Sequence, residues 1–201
     1  MRRWLAVLGI ALLAAPALAQ EDRGDPGGDL LLFRVPDGWT PAEQEKADGV
    51  YRILYLPEGS TIDDWRLSLT ARIFFNLSQD RPDLSAADFT ENLARFYAQA
   101  CDGGHASSLS SYEEDGYQVA MRVVFCPRSQ GVDLGSVSMI KVMRGAASYF
   151  TLERVWRGPP FAADASPVPQ ATLSAWVEFL SNSRLCNPTL VERPCPASVT
   201  P

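Results

Sequence analysis

The stretch VSMIKVMRGAASYFTLERVW, Val137 to Trp156, decides how this chain folds. Two runs rich in β-branched, aromatic and long apolar residues flank Gly145-Ala146, a small pair suited to a tight reversal. The pattern predicts an antiparallel hairpin, Val137–Arg144 against Ala147–Trp156. With a two-residue turn, Met139 lies opposite Leu152, Lys141 opposite Phe150 and Val142 opposite Tyr149. Successive side chains of a strand point to opposite faces, so both faces of this hairpin carry apolar pairs. The sheet it belongs to is therefore expected to be covered on each side over part of its length.

The same logic extends towards the N-terminus. Ser107–Glu113 and Tyr117–Cys126 flank Asp115-Gly116, the dipeptide a primed hairpin turn prefers, and that register sets Cys126 opposite about His105. Ser85-Ala86-Ala87-Asp88 opens a helix whose Phe89, Leu93, Phe96 and Tyr97 recur on one face. Ser85 with Asp88 is its cap, and Asp102-Gly103-Gly104 ends it. Trp65 to Phe75 alternates, with Trp65, Leu67, Leu69, Ala71, Ile73 and Phe75 on one side and Arg66, Ser68, Thr70, Arg72 and Phe74 on the other. Val50–Leu56 and Leu30–Val35 read as further strands. Between them Thr40-Pro41-Ala42-Glu43 has the signature of a helix start, cut short by Asp48-Gly49. Beyond Gly158-Pro159-Pro160, a proline-rich crossing leads to a helix near Gln170–Asn182 with an apolar stripe of Leu173, Trp176, Val177 and Leu180. The order is three strands, helix, four strands, helix. Such segregation predicts an α+β fold, a mainly antiparallel sheet of about six or seven strands with two main helices packed on it.

The ends of the chain state where it works. Arg2 and Arg3 precede an apolar run, Trp4–Ala15, that is too short to span a bilayer and is broken by Pro16. Ala17-Leu18-Ala19 then supplies a small-x-small cleavage site, so residues 1–19 read as a signal peptide cleaved after Ala19. Residues 20–29, acidic and rich in Gly and Pro, read as a flexible lead-in. Residues 30–186 form a single domain, and 187–201 a proline-rich tail with a disulfide loop. The chain carries a formal charge of −6, and loss of Arg2 and Arg3 leaves the mature form more acidic still. That balance disfavours nucleic acid and anionic membrane surfaces as partners. No stable membrane insertion is expected after cleavage. A periplasmic or secreted protein is the expectation.

An even number of cysteines in an exported chain implies a disulfide framework. Cys186 and Cys195 bracket a short loop stiffened by Pro188 and Pro194. Cys101 ends the main helix, and the Gly103-Gly104 stretch lets it swing onto Cys126. The expected pairs are Cys101–Cys126 and Cys186–Cys195. A metal site is the rival reading, but the chain has no CxxC pair.

Chemistry is sparse. His105 is the sole histidine, which excludes a multi-histidine zinc or copper site. A hydrolase triad would have to use it with a nearby serine, yet no G-x-S-x-G elbow is present. The acids Glu58, Asp63, Asp64, Asp80 and Asp83 fit no EF-hand spacing and read as solvated turn residues. No phosphate loop, cofactor motif or catalytic constellation stands out. What remains is a set of cations inside predicted strands: Arg66, Arg72, Arg122, Lys141 and Arg154. Charges there must reach water, pair with acids or line a site. They are the candidate ligand or partner surface, against the plainer reading of a wet sheet face laced with ion pairs. Trp39, Trp65, Trp156 and Trp176 read as core anchors.

Tyr55-Leu-Pro-Glu-Gly-Ser-Thr-Ile-Asp-Asp-Trp65, the strand through Phe75, Gly116-Tyr117, Cys126-Pro127, Lys141 and Gly145 together resemble small exported bacterial proteins of no established function. The element order is similar to that of the Mog1/PsbP-like α+β sandwich, whose antiparallel sheet is flanked by helices. The resemblance implies a binding or accessory role for an envelope protein or small ligand, with no catalytic residues to carry over. A periplasmic hydrolase using His105 or a carboxylate pair, and a purely structural envelope component, are the alternatives.

Overall fold

A computed structural model describes residues 28–196. The stretch expected to be a signal peptide, residues 1–19, and most of the expected lead-in lie outside the described residues. In chain order the elements are β1 (Leu30–Leu32), β2 (Trp39–Ala47), β3 (Val50–Pro57), β4 (Leu67–Phe74), α1 (Leu77–Asp80), α2 (Ala86–Gln99), β5 (Cys101–Asp102) and β6 (His105–Ala106). There follow β7 (Ser110–Glu114), β8 (Tyr117–Cys126), β9 (Arg128–Ser129), β10 (Gly135–Arg144), β11 (Tyr149–Gly158), α3 (Gln170–Ser181) and β12 (Arg184–Cys186). The main sheet has eight strands in the order β2-β3-β4-β11-β10-β8-β6, with β7 also on β8. Every pairing in it is antiparallel. β1 pairs with β12 and β5 with β9 in two small satellite sheets.

The alternation of β4, β8, β10 and β11 sorts their side chains onto two covered faces. On one, Ala120, Val124, Ile140, Val142 and Tyr149 pack under Ala86, Phe89, Leu93, Ala94 and Tyr97 of α2. On the other, Leu69, Ala71, Met139 and Leu152 meet Leu173, Trp176 and Leu180 of α3. Further along that face Val119, Met143 and Phe150 meet Leu31 and Leu185 of the β1–β12 pair. The result is a sheet layered between α2 and α3, as the two-sided apolar pattern required. Ser85 caps α2 reciprocally: its Oγ accepts from Asp88 N at 3.1 Å, and Asp88 Oδ2 accepts from Ser85 N. Two residues of the predicted stripes face outward instead. Phe96 is 69% exposed and Val177 46%, because the buried faces of their helices are completed by Ala86, Thr90 and Ala94 in α2 and by Leu173, Trp176 and Leu180 in α3.

Three local expectations are corrected. Thr40-Pro41-Ala42-Glu43 is strand, not helix. β2 pairs with β3 through Pro41↔Tyr55, and a bulge between Pro41 and Glu43 absorbs the proline. An edge strand tolerates the missing N–H, and pairing overrides the local helix signature. Asp48-Gly49, at φ 50° and 75°, closes this hairpin in the way Asp115-Gly116, at 49° and 76°, closes β7–β8. The β10–β11 connection holds four residues, Gly145–Ser148, and pairs Arg144 with Tyr149, Lys141 with Leu152 and Met139 with Arg154. This two-residue slip keeps every side chain on its predicted face, since the strand period is two. His105 lies opposite Phe125 and not Cys126, because the stretch between β6 and β7 takes up one extra residue.

The last residue of the lead-in is fixed in the core. Asp29 is 1% exposed, and its carboxylate accepts from Tyr117 Oη at 2.8 Å, Ala146 N at 2.7 Å and Asn187 Nδ2 at 3.0 Å. A single carboxylate thus ties the N-terminal entry, the β10–β11 loop and the start of the C-terminal loop. Gly145 leaves room for it, as a Cβ there would lie 2.6 Å from Asp29 Oδ2. Both expected disulfides are present, Cys101–Cys126 and Cys186–Cys195.

Candidate functional site

The five candidate cations do not share a surface. Arg66 precedes β4 instead of lying within it, and is exposed. Arg72 and Arg122 face α2, whereas Lys141 and Arg154 face α3.

On the α2 face the cations are paired. Arg72 donates to Glu153 Oε2 at 2.7 Å, and Tyr97 Oη reaches the same oxygen at 3.5 Å. Burial works against the charge on Arg72, but the carboxylate of Glu153, itself only 4% exposed, more than offsets this and raises its pKa. Burial, then the same carboxylate, raises Tyr97 well above the usual phenol range. Arg122 is held by Glu91 and by Ser107 O, the latter at 2.7 Å. These are ion pairs of a covered sheet face.

Lys141 is wholly buried, at 0% exposure. Its Nζ donates to Glu114 Oε2 at 2.8 Å, Ser183 O at 2.6 Å and Leu180 O at 3.1 Å. The last two are carbonyls at the C-terminal end of α3, where a cation complements the helix dipole. Burial pulls its pKa down, with Glu114 acting in the other direction. Lys141 is a clamp for α3 and has no surface to offer.

Arg154 differs from all of these. Its guanidinium lies 5.1 Å from the ring centre of Trp39, 5.7 Å from that of Trp176 and 4.8 Å from that of Phe179. Its Nε is buried without an acceptor, and no carboxylate among the described residues pairs with it. Burial lowers its pKa. β11 supplies the arginine, β2 the first wall and α3 the other two. The terminal nitrogens, which no described protein group accepts from, are the part of this half-buried residue left in reach of solvent. Beside it, and sharing Phe179, runs a groove of about 350 Å³ lined also by Arg34, Pro36, Asp37 and Asn182. Arg34 and Asp37 neutralise each other at 2.9 Å. The recess therefore presents one uncompensated positive charge between aromatic walls. The sequence flagged Arg154 but not its surroundings, since Trp39 and Trp176 read only as core anchors. Parity was the available signal: Arg154 shares its face with Leu152 and Trp156, so it is a cation on an otherwise apolar face.

A second cleft, of about 270 Å³, opens at the C-terminal end of α2 between Tyr97, Gln130, Ser129, Ser136, Ser138 and the Cys101–Cys126 disulfide. His105 is exposed, stacked on Phe125 at 5.0 Å, with Nδ1 3.3 Å from Gly103 O. The neighbouring Ser107 is engaged elsewhere, its Oγ accepting from Val123 N and donating to Ser108 O. Among the described residues no group of three or more His, Cys, Asp or Glu could hold a metal ion, and no helix is long and apolar enough to cross a membrane.

The layered antiparallel sheet, with α2 on one face and α3 on the other, is of the α+β class expected from the sequence. No family model matches the chain, and no curated protein is detectably similar to it in sequence. Solved structures similar in fold include the Ran-binding protein Mog1p of Saccharomyces cerevisiae, at 10% identity and a TM-score of 0.45, covering 78% of this chain and 94% of that one. Another is the PsbP protein of the cyanobacterium Synechocystis, at 14% and 0.47, covering 78% and 92%. A third is LpqN of Mycobacterium tuberculosis, described as involved in cell envelope biogenesis, at 14% and 0.41, covering 81% and 87%. The likeness is one of fold alone.

Proposed function

We propose that this chain is an exported, non-catalytic accessory domain that binds a ligand or partner of the cell envelope at the Arg154 recess on its α3 face. The observation that carries the reading is the guanidinium itself. Arg72, Arg122 and Lys141 each have carboxylate partners, while Arg154 has three aromatic walls and no counter-charge among the described residues. A buried donor left without an acceptor costs about 1–3 kcal/mol, and a bound group that supplies charge and acceptors offsets that cost. The leader Met1–Ala19 and the two disulfides support export into an oxidising compartment. The hydrolase alternative draws little support from His105, whose ring contacts are Phe125 and a backbone carbonyl.

The test is a thermal-shift screen of the mature chain against neutral, cationic and anionic small molecules and fractionated envelope extract, run in parallel on Arg154→Met. At least one class is expected to raise the melting temperature of the parent and not of the variant. No stabilisation by any class, or equal stabilisation of both proteins, counts against the reading.

A further inference from the structure

The chemistry of the recess narrows what it can hold. An arginine presents five N–H donors in a planar fork, and none of those on Arg154 finds an acceptor among the described residues. A carboxylate is planar and accepts two parallel bonds from such a fork, which makes it the closest geometric match between flat aromatic walls. Net charge sets the valence. Arg34, the cation that lines the neighbouring groove, is already paired with Asp37, so the unpaired positive charge on offer is that of Arg154, which meets the groove at Phe179. A phosphate dianion or polyanion finds no second unpaired cation here among the described residues. The remainder of the site is apolar where it joins the arginine: Phe179 belongs both to the wall and to the groove, which Pro36 extends and Asn182 supplies with an amide. A groove of about 350 Å³ is at the lower end of small-molecule sites.

We infer that the Arg154 recess takes the carboxylate of a small amphipathic monoacid, whose apolar body lies along the groove past Phe179. The inference deepens the binding reading given above and rests on it. Bound this way, the acid neutralises Arg154 between Trp39, Trp176 and Phe179 and shields the rings from water.

Octanoate and phenylacetate are the probes, with octanamide and octyl phosphate as comparators, titrated into the mature chain and followed by calorimetry and tryptophan fluorescence. Octanoate is expected to bind in the submillimolar range. Octanamide, which has the same chain without the charge, should bind at least ~10-fold more weakly, equivalent to about 1.4 kcal/mol. Arg154→Met should abolish octanoate binding, and Arg154→Lys, which keeps the charge but loses the fork, should weaken it. Circular dichroism melts of both variants exclude misfolding as the cause. Equal binding of octanoate and octanamide, tighter binding of octyl phosphate, binding retained by Arg154→Met, or no binding of either acid overturns the inference. The binding reading survives such a failure if another class of compound stabilises the parent but not Arg154→Met; both fail if no class does so.

Discussion

Asp29→Ala puts the most weight on a single side chain. The carboxylate accepts three hydrogen bonds, and two of their donors, Tyr117 Oη and Asn187 Nδ2, belong to side chains that are each 2% exposed. Truncation removes the acceptor and leaves the donors in place. At about 1–3 kcal/mol for each buried donor left unpaired, with partial relief for Ala146 N near the loop surface, the expected loss is about 4 kcal/mol. Against a typical domain stability of about 5–15 kcal/mol, that is a large fraction. Asp29→Asn should lose roughly half as much, since one amide oxygen remains while the NH₂ meets a donor. The assay is urea unfolding of the mature chain followed by circular dichroism. With a slope of about 2 kcal/mol/M, the midpoint of Asp29→Ala should fall by about 2 M with the slope unchanged. The double variant Asp29→Ala/Tyr117→Phe should be less destabilised than the sum of its singles, because removing the Tyr117 hydroxyl also removes a donor that has lost its acceptor. A loss below about 0.5 kcal/mol for Asp29→Ala would falsify the anchoring role and restore residues 20–29 to a lead-in throughout.

Other expectations follow from the same contacts. Breaking Cys101–Cys126, which closes the longer loop with a separation of 25 residues, should cost about 3.5 kcal/mol. Breaking Cys186–Cys195, with a separation of 9, should cost about 2.7 kcal/mol; paired Cys→Ser variants melted side by side test the order, and the reverse ranking would contradict it. Lys141→Met should cost about 2–4 kcal/mol by freeing Glu114 and two carbonyls at the end of α3; a melt indistinguishable from the parent would show that α3 needs no clamp. Burial, then neighbouring carboxylates, raises the pKa of Tyr97 and Tyr117 in the folded state. Their contribution is therefore fully present below the unfolded phenol value near pH 10 and is lost as pH rises through the folded values. Absorbance at 295 nm should show these two phenols titrating only with unfolding; smooth reversible titration of all tyrosines in the folded protein would refute the burial argument.

What was legible in the sequence followed from short-range periodicity. The parity of Met139, Leu152, Val142 and Tyr149 assigned both covered faces, and the faces survived a register slip of two residues for the reason parity does. Asp48-Gly49 carried the same turn signal as Asp115-Gly116, but the Thr40-Pro41 helix signature beside it hid the hairpin. The pairing of β1 with β12 could not be read, since it joins Leu30–Leu32 to Arg184–Cys186 across nearly the whole domain. The four-residue loop after Arg144 had no local cause either: Asp29 binds Ala146 N, and Ala147 O accepts from Ser78 N of α1. At the candidate site the cations were visible and their roles were not. Arg72, Lys141 and Arg154 look alike as charges within strands, and only their distant neighbours distinguish an ion pair, a helix clamp and an aromatic recess.

The central claim, that ligands enter beside Arg154, is tested most directly by the indole Nε1–H resonances in a ¹H–¹⁵N spectrum of the mature chain during titration with octanoate. Trp39 and Trp176, which wall the guanidinium, should shift together and saturate, while Trp65, stacked on Arg157 at 4.2 Å, should stay in place. Shifts confined to Trp65, or saturating changes elsewhere with Trp39 and Trp176 unmoved, would contradict the account.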